Sequence, residues 1–136
     1  MADNSPSLVS LPIRNMADVV RARRRGLEMA MDMGFVRPEA TKIAVVISEL
    51  ARNIIHYAER GIITLTAHKG TGAYFEIMSQ DNGPGIEDVD RVLAGGYSTS
   101  KGLGVGVSGS KRLMDTFDVI STVGVGTTIK CKKHLR

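Results

Sequence analysis

Two stretches of the chain repeat apolar residues at the spacing of an amphipathic helix. The first follows Asn15, a residue suited to capping a helix, and ends at Gly34. The second begins near Pro38, a favourable residue in a first helical turn. The apolar positions are Met16, Val19, Val20, Leu27, Ala30 and Met31 in the first stretch, and Ala40, Ile43, Ala44, Ile47, Ala51, Ile54, Ile55 and Ala58 in the second. This pattern predicts two helices that each turn one face to a core.

Alternating apolar and polar residues predict the strands. Gly70-Thr71-Gly72 and Gly124-Val125-Gly126 each separate two such runs, which is typical of a β-hairpin. Pro12 would interrupt a central strand, so the first run is predicted to lie at a sheet edge. The predicted strands cover residues 7–13, 62–68, 73–80, 117–123 and 127–133.

The sequence between the two hairpins is rich in glycine. Residues 95–109 form no regular pattern and predict a mobile lid, with a short helix before it at 87–94 and another after it at about 107–116. Two hairpins favour antiparallel pairing, and amphipathic helices can cover one face of the sheet. We therefore predict an α+β protein: a two-layer α/β sandwich with a mostly antiparallel (mixed) sheet, forming one domain over residues 1–136.

Composition excludes several classes of protein. Of the 136 residues 43% are hydrophobic and 24% charged, which is typical of a folded domain rather than a disordered chain. Cys131 is the single cysteine, so a disulfide framework and a cysteine-rich metal site are excluded. The N-terminus shows no signal peptide, and no apolar run is long enough to span a membrane. We expect a cytoplasmic protein without a membrane partner.

The charge of the chain is moderately basic, at +4. Nucleic-acid binding would favour exposed stacking aromatics, but the chain has no Trp, three Tyr and three Phe, so we expect no nucleic-acid partner. The densest basic cluster is Arg21, Arg23, Arg24 and Arg25. We interpret it as a solvated helix face, with a docking surface for an acidic protein as the alternative.

A polar stripe on the second helix carries the first candidate chemistry. Glu49, Arg52, Asn53 and His56 are spaced by three, one and three residues, so they share one side of the helix. The side-chain oxygen of Asn53 suits Mg²⁺, whose other ligands are usually waters and phosphates. Glu49 would then orient or deprotonate a nucleophile beside those phosphates. The alternative is a solvated polar face.

A tight loop follows the third predicted strand. In Asp81-Asn82-Gly83-Pro84-Gly85 the two glycines around a proline force a turn and let a ligand ring approach the backbone. The carboxylate of Asp81 can accept a hydrogen bond from an exocyclic amine such as that of adenine. Two ordinary consecutive turns are the alternative.

Two glycine motifs complete the candidate site. Gly102, Gly104 and Gly106 precede a predicted helix, where free backbone N–H groups can cradle phosphate. A dinucleotide-binding motif at 104–109 lacks its βαβ context, and a P-loop fails because Ser110 replaces the lysine. The second motif is the last hairpin turn, followed by the hydroxyls of Thr127 and Thr128.

These four motifs, in this order, resemble the Bergerat ATP-binding fold shared by gyrase, heat-shock chaperones, histidine kinases and MutL. Within it the chain is most similar to the anti-sigma-factor and switch serine kinases of the RsbT type. The segments that carry this closer similarity are residues 48–53 (SELARN), 97–104 (YSTSKGLG) and 111–115 (KRLMD).

The resemblance implies a role for each candidate residue. Asn53 would hold Mg²⁺, Glu49 would act as the catalytic base, and Asp81 would bind the adenine amine. Lys101 would reach the γ-phosphate, with Arg52 as an alternative phosphate contact, and His56 would be structural. Gly83 and Gly85 would shape the pocket floor, Gly102, Gly104 and Gly106 would touch phosphates, and Thr127, Thr128 or both would support adenine through water.

The resemblance also implies a function. It predicts an ATP- and Mg²⁺-dependent protein serine/threonine kinase that phosphorylates STAS-domain antagonist or scaffold proteins, of the RsbS and RsbR kind, in a bacterial stressosome or sigma-factor partner-switching pathway. The alternative is a binding module for a sigma factor or phosphatase in which nucleotide is mainly a regulatory ligand. A homodimer formed through the first helix is a further expectation.

Overall fold

The computed structural model describes residues 5–85 and 103–136, which form five strands and three helices. The elements are β1 (Ser7–Ile13), α1 (Met16–Met33), α2 (Arg37–Ala58), β2 (Gly61–His68), β3 (Tyr74–Asp81), α3 (Leu103–Leu113), β4 (Thr116–Thr122) and β5 (Gly126–His134). In the described ranges, no helix combines the length and the apolar character needed to cross a membrane. The helix predicted at 87–94 and the first part of the predicted lid, 95–102, lie outside the described residues.

The five strands form one sheet in the order β1-β2-β3-β5-β4. All four neighbouring pairs are antiparallel, so the described strands include none of the parallel pairing that a mixed sheet would allow. Strand β1 lies at an edge, as Pro12 predicts. The predicted α+β sandwich is confirmed, and each strand begins and ends within one residue of its predicted bounds.

The core lies between one face of the sheet and the helices. Alternate residues of the central strands point inward and are fully buried, among them Ile63, Leu65, Phe75 and Ile77. The core face of α2 meets them with Ile43, Ile47, Leu50 and Ile54. Cys131 is also fully buried, and this burial raises the pKa of its thiol, so the cysteine behaves as a core residue rather than a reactive one.

Helix α1 buries Val19 and Ala30, as predicted, but the centre of its buried face differs from the predicted one. Met16, Val20 and Met31 are 49%, 54% and 41% exposed, respectively. The buried residues are Asp18, Val19, Ala22, Gly26, Met29 and Ala30. Gly26 explains the rotation, because a β-carbon there would collide with the side chain of Ile47. Apolar spacing missed this face because its centre is a glycine that lets α1 approach α2 closely.

Helix α3 begins at Leu103, four residues earlier than predicted. Residues 103–109, which the glycine content assigned to an irregular lid, are therefore helical. Val107 is fully buried and Ser110 is 2% exposed, and the helix packs on α2. This packing outweighs the low helix propensity of the glycines, since tertiary contacts supply most of the stability of a short helix.

Candidate functional site

A cavity between α2 and the ends of β3 and β5 gathers residues from three parts of the chain. Of the predicted site residues it brings together Asn53, Asp81, Gly85 and Thr127. The complete lining is Leu50, Asn53, Ile54, Tyr57, Ser79, Asp81, Pro84, Gly85, Thr127 and Ile129. Its walls are largely apolar, and a few polar groups converge within them, which is the usual character of a small-molecule site.

Asp81 ends strand β3, and the loop after it fixes its carboxylate. The backbone N–H of Gly83 donates to Asp81 Oδ1 at 2.9 Å. Both glycines of this loop are sterically required. A β-carbon on Gly83 would lie 2.7 Å from that of Ala58, and one on Gly85, where φ is +81°, would lie 2.5 Å from the Thr122 carbonyl oxygen. The loop therefore holds Asp81 at the cavity wall with its second oxygen available.

The last hairpin places one threonine in the cavity and the other on the opposite face of the sheet. Thr127 is paired with Asp81, whereas Thr128 is paired with Gln80. Because side chains alternate along a strand, Thr127 turns towards the cavity, whereas Thr128 lies outside the cavity lining. Gly126 is also required here, since a β-carbon would collide with the Asp81 carbonyl oxygen.

Asn53 is the member of the α2 polar stripe that lines the cavity. Its Nδ2 atom is buried and has no hydrogen-bond partner in the described parts of the chain. The two ends of an asparagine amide are assigned from their hydrogen bonds, so the observation is that one end lacks a partner. A buried amide without a partner is unfavourable unless a ligand completes it.

The other members of the stripe lie at the surface. Arg52 donates to Glu49 Oε1 at 3.2 Å, with the Arg52 side chain 47% and the Glu49 side chain 34% exposed. His56 is exposed. Glu49 precedes Asn53 by about one helical turn and does not line the cavity.

The first turn of α3 supplies backbone donors. Gly104 and Gly106 lie in this turn, where the first four N–H groups of a helix have no intrahelical partner. Such N–H groups suit phosphate. Lys101 and Gly102, the other predicted phosphate contacts, lie outside the described residues.

The residues present fit a divalent cation that is held mainly by a ligand. No group of three or more His, Cys, Asp or Glu side chains clusters within residues 5–85 and 103–136. The amide of Asn53 offers one oxygen, while Mg²⁺ commonly takes one or two protein oxygens and completes its shell with phosphates and water. A cation here therefore depends on a phosphate-bearing ligand.

Sequence patterns missed part of the cavity. Ser79, Tyr57 and the apolar residues Leu50, Ile54 and Ile129 were not predicted as site residues. Ser79 could have been found, because it lies two residues before Asp81 on the same face of β3. Tyr57 follows Asn53 by about one helical turn, which is an equally simple signal.

The sequence has well-defined relatives. Residues 39–136 match the family described as Histidine kinase-, DNA gyrase B-, and HSP90-like ATPase. The chain is 45% identical over 121 residues to the serine/threonine-protein kinase RsbT of Bacillus subtilis (strain 168), covering 88% of this chain and 90% of that protein. It is 36% identical over 104 residues to an anti-sigma F factor of Priestia megaterium, covering 71% of each.

The fold is similar to that of a solved kinase domain. A histidine kinase domain from the blue-light activated histidine kinase of Erythrobacter litoralis EL346 superposes with a TM-score of 0.55 at 18% identity. The match covers 86% of this chain and 59% of that one. At this identity the likeness concerns the fold alone.

Proposed function

The chain belongs to the family of histidine kinase-, DNA gyrase B- and HSP90-like ATPases, and we propose that it is an ATP-dependent protein serine/threonine kinase whose acceptor is a STAS-domain protein. The observation that carries the proposal is the cavity that joins Asn53, Asp81 and Thr127. The 45% identity to a serine/threonine-protein kinase over most of both chains supports the reaction class.

The cavity binds the adenine ring. Leu50, Ile54 and Ile129 provide apolar walls for the ring faces, and Asp81 accepts a hydrogen bond from the 6-amino group. The carboxylate is suited to this role because the Gly83 N–H already occupies Oδ1 and leaves Oδ2 for the base. Thr127 supports the ring through water.

The phosphates extend from the cavity towards α3. The N–H groups in the first turn of α3, including those of Gly104 and Gly106, would bind them, and the positive end of the helix dipole favours their charge. Gly102 and Lys101 contribute to the same phosphate site by their position in the sequence. Asn53 would hold Mg²⁺ through its side-chain oxygen, and the cation would neutralise the charge of the phosphates when ATP is bound.

Glu49 acts as the general base. As the acceptor hydroxyl oxygen bonds to the γ-phosphorus, its proton passes to the Glu49 carboxylate. The bond from the γ-phosphorus to the β,γ-bridging oxygen breaks, and ADP leaves with that electron pair. Arg52 Nη1 lies 3.2 Å from Glu49 Oε1 and orients that carboxylate. Because about half of the Arg52 side chain is exposed, Arg52 can also rotate to contact a phosphate.

The test compares phosphoryl transfer by the wild type with transfer by Glu49→Gln, using radiolabelled ATP, Mg²⁺ and a purified STAS-domain protein. We expect transfer to fall about 10²- to 10⁴-fold, as for loss of a general base, while ATP affinity is retained. Glu28→Gln is the matched control, because Glu28 forms a similar i,i+3 ion pair with Arg25 on α1. Full transfer by Glu49→Gln would remove Glu49 from the mechanism.

The similarity to an anti-sigma F factor supports a second function. In this alternative the protein sequesters a sigma factor, or binds a phosphatase, and nucleotide controls the binding. The two functions are separated by the same variants. Wild-type protein that binds ATP, phosphorylates no STAS-domain protein and forms a nucleotide-dependent complex with a sigma factor or phosphatase would favour the binding module.

A further inference from the structure

Helices α1 and α2 leave between them a groove that is open to solvent, which we call the α1–α2 groove. Its volume is about 350 Å³, enough to admit side chains from another molecule. It shares no residue with the nucleotide cavity. The lining consists of Val20, Arg23, Arg24 and Leu27 from α1, and of Arg37, Thr41 and Ala44 from α2.

An apolar stripe runs along the α1 side of the groove. Met16, Val20 and Met31 are exposed, and Leu27, which belongs to the same stripe, is only partly buried. In chain order these four residues follow one another at spacings of four, seven and four, the repeat of a helix that packs against another helix. Val45 adds an exposed apolar side chain on α2. The two helices therefore present a surface of the kind that a third helix covers.

Three arginines lie beside this apolar surface without a carboxylate partner. Within residues 5–85 and 103–136, no acidic side chain forms an ion pair with Arg23, Arg24 or Arg37. Arg21 and Arg25, on the same helix but outside the groove, are both paired. The groove lining contains no acidic residue. Its guanidinium groups are therefore available to carboxylates, which they match in charge and geometry.

The combination of charge and apolar surface decides which occupant fits the groove. A second copy related by a two-fold axis would place the same arginines against each other, and this repulsion opposes a homodimer through the groove. A nucleic acid would pair with the arginines but would leave the apolar stripe without a partner. A helix that carries acidic residues beside an apolar stripe satisfies both features of the groove.

We propose that the α1–α2 groove is the docking site for an acidic amphipathic helix of a partner protein. The apolar side chains of that helix lie against Val20 and Leu27, and its carboxylates pair with Arg23, Arg24 and Arg37. In this mode of recognition, apolar anchors at helical spacing provide affinity, while the flanking charges speed association and fix the register. The inference does not depend on the proposed kinase function, because none of these residues lines the nucleotide cavity.

The test uses a fluorescein-labelled probe peptide that forms a helix of about five turns, with leucines at helical spacing and glutamates on both sides of them. Fluorescence anisotropy measures its affinity for the full chain. We expect saturable binding of this peptide and no binding of a second peptide in which lysine replaces every glutamate. In an NMR titration of isotope-labelled protein, the amide signals that shift should be those of the residues around the groove.

Variants separate the contribution of charge from that of apolar contact. Arg23→Gln/Arg37→Gln should weaken binding of the probe peptide about 2- to 30-fold, as for the loss of two exposed ion pairs. Val20→Ser should weaken it about 3- to 10-fold, because the exposed half of this side chain is covered by the peptide. The matched control, Arg25→Gln/Arg60→Gln, removes the same charge outside the groove lining and should bind as the wild type does. The melting temperature of each variant verifies that it is folded.

Four results would overturn the assignment. The first is the absence of saturable binding, and the second is an equal loss of affinity in the control variant. The third is equal binding of a glutamate-rich peptide without leucines, or of a single-stranded oligonucleotide, which would mean a general surface for polyanions. The fourth is a wild-type dimer in analytical ultracentrifugation that Val20→Ser dissociates, which would assign the groove to a second copy. None of these results bears on phosphoryl transfer, so the kinase proposal succeeds or fails independently.

Discussion

Polar side chains are buried both at the start of α1 and in the nucleotide cavity, but the two regions differ in whether those side chains have hydrogen-bond partners. At the start of α1, which we call the Asp18 cap, Asp18 is 2% exposed and fully partnered. Arg14 donates to Asp18 Oδ2 from its backbone N–H at 2.9 Å and from Nε at 3.1 Å, and Arg21 donates to Oδ1. Asn15 accepts from the Asp18 N–H at 3.0 Å and caps the helix.

In the cavity, one buried polar group lacks such a partner. Asn53 Nδ2 is buried and has no hydrogen-bond partner among the described residues. A buried polar group without a partner costs about 1–3 kcal/mol, whereas a satisfied one is neutral or stabilising. We infer that the Asp18 cap stabilises the fold, whereas the unpartnered group in the cavity lowers the stability of the free protein until a nucleotide binds.

The largest effect should follow Asp81→Asn. The Gly83 N–H keeps the amide oxygen, so the new NH₂ group faces the adenine amine as a second donor. Loss of a charged hydrogen bond is worth about 1.5–3 kcal/mol, so ATP affinity should fall about 10- to 100-fold. Titration calorimetry measures this, and the melting temperature without nucleotide should stay near the wild-type value. A large fall in melting temperature would mean that Asp81, like Asp18, mainly stabilises the fold.

Asn53→Ala should sharpen the contrast, because it removes a buried group that has no partner. We expect the free energy of unfolding without nucleotide to rise by about 1–3 kcal/mol, while Mg²⁺-dependent ATP binding is lost. Urea denaturation and calorimetry with and without Mg²⁺ measure the two effects. A lower free energy of unfolding for Asn53→Ala would contradict the interpretation that this amide is unsatisfied in the free protein.

Asn15→Ala should show the reverse behaviour at the Asp18 cap. Loss of the N-cap hydrogen bond to the Asp18 N–H should lower the free energy of unfolding by about 1 kcal/mol. ATP affinity should be unchanged, since Asn15 lies outside the cavity lining. Urea denaturation provides the first value and calorimetry the second; a parallel loss of affinity would mean that the two regions are coupled.

The smallest effect concerns pH. Arg14 and Arg21 lower the pKa of Asp18 from its usual 3.8 to about 2. A lowered pKa in the folded state stabilises the fold above the usual pKa, and this contribution is lost as the pH falls towards about 2. Melting temperatures of the wild type and Asp18→Asn should therefore differ by a constant amount at neutral pH and converge in acid. A difference that stays undiminished from neutral pH down to pH 2 would mean that the ionised Asp18 carboxylate is not its source.

Much of the fold was predictable because its signals are local. The apolar repeat of α2 and the alternation in all five strands predicted those elements with nearly their observed bounds. The presence of Asn53 and Asp81 in the candidate site was predictable too. That prediction needs only an asparagine in a helix and an aspartate at the end of a later strand, in that order. Lys101 and Gly102 remain predictions, since they lie outside the described residues.

The failures share a physical cause. The buried face of α1 depends on how closely α2 approaches Gly26, and the start of α3 depends on burying Val107 against α2. The separation of Thr127 from Thr128 depends on the register between β3 and β5. Each of these three features is set by a contact between different segments of the chain. The residue pattern within one segment carries no information about such a contact.

The sequence by itself determined the order of the elements, the family and the chemical types that a nucleotide site needs. Tertiary structure alone decided which of those groups share a cavity and which are already hydrogen-bonded to other residues of the protein. Thr127 shows the reason: its hydroxyl shares a hydrogen bond of 2.9 Å with that of Ser121 on the neighbouring strand, so part of its hydrogen-bonding capacity is used before a ligand binds. A residue's type fixes what it can donate or accept, but only its neighbours in the folded state fix what it has left for a ligand.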